Sequence, residues 1–73
     1  MPPTYFTLQE AKSKLNRRVI TTTPFVDISV GDYGIVTDYY KMGTHYGLTI
    51  KWDRVNVTDG FSKNEYEEFL REV

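Results

Sequence analysis

The chain has 73 residues, no cysteine, a formal charge of −1 and a pI near 5.7. That length sits near the lower limit at which a hydrophobic core alone offsets chain entropy, roughly 1.5 kcal/mol per ordered residue. Without cysteine there is no disulfide framework and no thiolate metal site, which points to a reducing compartment, the cytoplasm. The slightly acidic balance disfavours nucleic acid as the leading partner, and no apolar run is long enough to span a bilayer.

The first predicted element is a helix over residues 8–16. Thr7 and Glu10 stand at capping-box spacing, with Phe6 placed to staple against Ala11. Leu8, Ala11 and Leu15 share one face, and Asn16 ends the helix. A first strand follows over residues 17–23, rich in β-branched side chains and stopped at Pro24, which has no N–H for a ladder. From Phe25 the chain alternates apolar and polar at Val26, Ile28 and Val30, then reaches Gly31 and Gly34. This reads as a loop ending in a tight turn, because glycine adopts positive φ without a Cβ penalty.

A second strand is expected over residues 34–41, a hairpin connection at Met42–His45, and a third strand over residues 46–53. In that third strand Leu48, Ile50 and Trp52 alternate with Thr49, Lys51 and Asp53, which puts the apolar set toward the core. A fourth short strand is placed at residues 55–57, with Asn56, Asp59 and Gly60 supplying turn chemistry after it begins. Ser62 and Glu65 repeat the capping box, and a closing helix over residues 63–71 carries Tyr66, Phe69, Leu70 and Val73 on one stripe.

Short strands, a paired-glycine turn, one hairpin and short terminal helices define a mainly β chain. They predict a small, strongly bent antiparallel sheet, closed or nearly closed as a barrel in one domain. Gly31-x-x-Gly34-x-Val36 resembles the turn of Src-homology-3-like (SH3-like) small barrels, including KOW-type domains. Ile50-Lys51-Trp52-Asp53-Arg54-Val55-Asn56 with Gly60-Phe61 is similar to the third-strand region of photosystem I subunit IV. The same turn, Trp52-Asp53 and the run from Phe61 to Leu70 together resemble small bacterial proteins of unassigned function. The resemblance implies a small barrel and no particular activity.

Chemistry-bearing residues are sparse. His45, the single histidine, stands in a turn with no nucleophile or carboxylate at a spacing that would make a catalytic pair. Asp53 is explained by a strand end and Asp59 by a turn, so neither enzymatic activity, a cofactor nor a metal is expected.

The aromatic content, six Tyr, four Phe and one Trp, is mostly assigned to the core through Phe6, Trp52, Phe61, Tyr66 and Phe69. Adjacent Tyr39 and Tyr40 cannot both point inward on one strand. The leading expectation is therefore a protein-interaction module in which Tyr33, Tyr39 and Tyr46, beside His45, form an aromatic ledge for another protein. The alternative is nucleic-acid binding by Lys12, Lys14, Arg17 and Arg18 with stacking on an exposed tyrosine. A third expectation is a homodimer through a sheet edge at Thr21-Thr22-Thr23.

Overall fold

A computed structural model describes residues 2–73. Two helices and five strands follow one another as α1 (Leu8–Lys14), β1 (Arg18–Thr21), β2 (Tyr33–Met42), β3 (His45–Trp52), β4 (Thr58–Phe61), α2 (Lys63–Phe69) and β5 (Leu70–Glu72). All strand pairs are antiparallel, in the order β4-β3-β2-β1-β5. Because β4 and β5 each have a single strand neighbour, the sheet is open, and closure into a barrel is not observed.

Both helices start where the hydroxyl–glutamate spacing places them. Thr7 Oγ1 accepts from the Glu10 amide at 3.1 Å while the Glu10 carboxylate accepts from the Thr7 amide at 2.9 Å. Ser62 and Glu65 repeat the exchange at 3.4 and 2.9 Å. The two starts are also tied to each other. Lys63 Nζ donates to Glu10 Oε2 at 3.2 Å, the Lys63 amide to Thr4 O at 2.7 Å, and the Thr4 amide to Asn64 Oδ1 at 2.9 Å. Phe6, buried in the same core as Ala11, also meets Tyr66 edge-on, with ring centroids 5.7 Å apart.

Several boundaries differ from the sequence-based expectation. The first helix stops at Lys14, and Asn16 takes φ 68°, a left-handed turn that asparagine tolerates. β1 ends at Thr21, after which the Thr22 amide turns to Phe69 O at 2.8 Å. Gly31 takes the positive φ, 93°, whereas Gly34 lies inside β2.

Residues 55–57 are not a strand; the fourth strand is Thr58–Phe61, and Asp59 and Gly60 lie in it rather than in a turn. The second helix ends at Phe69 instead of residue 71, because Leu70–Glu72 extend and pair with β1. That pairing also corrects the expected edge, since Thr21 has Leu70 beside it and belongs to a strand with neighbours on both flanks.

The core joins the inner sheet face to both helices through Phe6, Ala11, Val19, Ile28, Val36, Leu48, Ile50, Trp52, Phe61, Tyr66 and Leu70. Buried Trp52 donates its Nε1–H to Asp59 Oδ2 at 2.7 Å, so the indole keeps its hydrogen bond while its ring fills the centre. On the far side, Tyr66 O–H donates to Glu72 Oε2 at 2.9 Å, and Lys14 Nζ reaches the same oxygen at 2.6 Å. One carboxylate thereby links α1, α2 and β5.

Candidate interaction surface

β1 and β2 are joined by residues 22–32, which fold back on themselves. Phe25 and Ile28 exchange backbone hydrogen bonds, both 3.0 Å, with Val26 and Asp27 at the tip of the turn. Asp27 takes φ 65°, a left-handed conformation in which aspartate is several-fold enriched over other side chains. The Phe25 ring anchors this loop: it lies edge-on to Phe61 at 5.5 Å and Phe69 at 5.9 Å, and tilted against Trp52 at 6.3 Å.

Asp32 and Arg54 fasten the loop to the β3–β4 connection. Arg54 donates to Asp32 from Nε at 3.1 Å and from a terminal nitrogen at 2.8 Å, and that terminal nitrogen also donates to Asp27 O at 2.7 Å. The Ser29 amide adds a bond to Asp32 Oδ2 at 2.9 Å. Arg54 foremost, then that amide, hold the Asp32 carboxyl below its ordinary value.

Between the two loops opens a cleft of about 440 Å³, lined by Phe25, Asp27, Ile28, Ser29, Arg54, Val55 and Val57. Its two loops carry exposed apolar side chains. Val57 is 39 % exposed, and Val26 and Val30 on the same loop as the cleft's wall are 87 % and 61 % exposed. The alternation of Val26, Ile28 and Val30 was the available signal. Its three side chains do not share a face, since the chain reverses at Val26-Asp27 and only Ile28 enters the core.

The tyrosines expected to form one ledge do not lie on one surface. A register shift between Val36 and Asp38 inserts Thr37 as an extra residue in β2. Directly paired residues share a face. Before the bulge, Tyr33 and Ile35 share the outer face with Lys51, and Tyr33 is 48 % exposed. After it, Tyr39 pairs with buried Leu48 and faces inward. There it meets Tyr46 edge-on at 5.5 Å, and Tyr46 is bridged to Phe6. His45 sits in the exposed hairpin end, its Nδ1 3.0 Å from the Thr44 hydroxyl. The structure therefore joins Tyr39 and Tyr46, with His45 next to Tyr46 in the chain, and leaves Tyr33 apart.

Three of the four basic residues pair with two carboxylates. Glu72 takes Lys14 at 2.6 Å and Arg17 at 3.7 Å, and Arg18 forms a bidentate pair with Asp53. Lys12 is exposed and, among the described residues, in no ion pair. Among the described residues no three His, Asp or Glu side chains converge as a metal cluster would, and no helix is long and apolar enough to cross a membrane. Comparison of the chain with family models, with curated proteins and with solved structures gave no significant match.

Proposed function

We propose that this chain is a non-catalytic protein-interaction module on a Src-homology-3-like small barrel left open between its outer strands. It contacts its partner through the cleft between residues 25–32 and 54–57. The fold reading is supported by strands β1 to β4 pairing in chain order, by β5 returning to β1, and by the bulge at Thr37 that bends β2. The interaction reading is carried by one observation: a cleft lined by Phe25, Ile28, Val55 and Val57 opens between two loops that Arg54 and Asp32 fasten together, and these loops also carry exposed Val26 and Val30. Exposed apolar side chains grouped at a concave surface mark contact sites more often than isolated ones do.

The triple substitution Val26→Ser, Val30→Ser, Val57→Ser tests the reading. These side chains are exposed, so the fold is expected to survive, checked by circular dichroism. Proteins cross-linked to the wild-type chain in a cell extract should be lost from the triple variant. An identical set on both would place the contact surface elsewhere.

A further inference from the structure

β4 lies at a margin of the sheet, and among the described residues nothing pairs with the backbone of its outer flank. The Trp52 amide donates to Val57 O at 3.3 Å, with Asp59 opposite Ile50 and Phe61 opposite Leu48. Bonded and non-bonded positions alternate along an antiparallel pair. Val57, Asp59 and Phe61 therefore turn their backbone groups toward β3, while Thr58 and Gly60 turn theirs outward. Both of these residues are exposed. The other margin, β5, offers less: three residues bearing Arg71 and Glu72, with the Leu70 amide already bound to Tyr66 O.

The side chains along that flank define what fits it. Val57, Asp59 and Phe61 share the core-side face with Trp52, Ile50 and Leu48. Val57 lines the cleft, so the flank runs directly from it. Two residues on, Asp59 has one oxygen bound by Trp52 Nε1–H at 2.7 Å and, among the described residues, no cationic partner. An arriving strand thus meets an apolar side chain and then a carboxylate.

A second copy of this chain fits poorly. The two-fold register that pairs Thr58 and Gly60 with their counterparts sets the two Asp59 carboxylates directly opposite, with Cβ atoms about 5 Å apart, where like charges destabilise. An inward charge on an edge strand opposes self-pairing. A cation on the partner turns the same carboxylate into an attractive contact.

We propose that β4 accepts, as an added strand, an extended segment of another protein that sets an apolar residue beside Val57 and a lysine or arginine beside Asp59. The proposal rests on the cleft as an interaction surface and specifies the partner's chemistry. Main-chain hydrogen bonds to Thr58 and Gly60 supply affinity, and the alternate side chains supply specificity.

The test is a titration of the ¹⁵N-labelled full chain with the synthetic peptide acetyl-Thr-Val-Thr-Lys-Thr-Val-Thr-amide. The Thr58 and Gly60 amides should shift most and become protected from exchange. A peptide with glutamate for lysine should bind at least about tenfold more weakly. One N-methylated at the two threonines flanking lysine should not bind, because its donors to β4 are gone. Equal binding of the lysine and glutamate peptides, binding of the N-methylated peptide, or unmoved Thr58 and Gly60 amides would each overturn the added strand. Shifts confined to Val26, Val55 and Val57 would do so while leaving the cleft as the interaction surface. Shifts at Thr58 and Gly60 that depend on chain concentration without peptide would identify a second copy and overturn it as well.

Discussion

Tyr40 lays its phenol ring across Gly47, so closely that a Cβ on that glycine would sit 2.2 Å from the ring's Cζ and 2.4 Å from its hydroxyl oxygen. A Cβ on Gly60, in the next strand, would meet the same ring at 3.1 Å. One aromatic thus covers two bare backbone positions on the outer face, a known remedy for glycine in sheets. Burial foremost pushes the Tyr40 hydroxyl above its ordinary value.

Gly47→Ala is therefore expected to displace the ring and cost about 1–3 kcal/mol in urea unfolding. In a Tyr40→Ala background the same substitution should cost distinctly less, since the clash is then absent. Equal costs in the two backgrounds would show that the ring is not what constrains position 47.

Gly34 is constrained by packing and not by its dihedral angle. It sits opposite Trp52, and a Cβ there would lie 2.7 Å from Ile50 Cγ2, 2.9 Å from Trp52 Cε3 and 3.2 Å from Lys51 O. Gly34→Ala should cost about 1–3 kcal/mol, and Gly34→Val more, with altered Trp52 near-ultraviolet circular dichroism. Unchanged stability and an unchanged indole signal would contradict this close approach.

Tyr66 predicts an alkaline limit to stability. Burial foremost, then its hydrogen bond to Glu72, raise the phenol's pKa in the fold. A group whose folded value is raised contributes fully below its unfolded value of 10.0, and that contribution is lost as pH climbs above it. Tyr66→Phe should remove this alkaline loss and, by deleting a hydrogen bond to a carboxylate, cost about 1.5–3 kcal/mol at neutral pH. Parallel pH profiles for wild type and variant would count against it.

Asp32 predicts an acid limit in one loop. Its folded value is depressed by Arg54 and by the Ser29 amide, so its contribution is present above the ordinary 3.8 and lost as pH falls through the lower folded value. Exchange of the Phe25 and Ile28 amides should accelerate below about pH 4, ahead of β3 amides such as Ile50. Arg54→Ala should move that acceleration to higher pH. Simultaneous exchange of loop and sheet would refute a local clasp.

Much of the fold was legible where local chemistry and tertiary packing agree. Thr7–Glu10 and Ser62–Glu65 gave both helix starts, and period-two alternation gave the core face of β3. Asp59-Gly60 misled, because its turn propensity yields to the Trp52 hydrogen bond on one face and Tyr40 coverage on the other. β5 was hidden for a related reason: Tyr66, Phe69, Leu70 and Val73 match a helical stripe, yet Leu70 is drawn out by pairing with Thr21. The aromatic ledge failed through a single residue, since the Thr37 bulge reverses parity between Tyr33 and Tyr39. No composition rule marks such an insertion, and the alternation of Val26, Ile28 and Val30 does not tell which of the three faces outward until that loop's turn is known.

The placement of β5 against β1 bears on synthesis. Val19 precedes the meander, and its neighbour Glu72 emerges from the ribosome only after the whole of it. Phe6 likewise waits for Tyr46. The sheet is thus incomplete until segments from both ends of the meander meet, and folding is expected as one cooperative event rather than strand by strand.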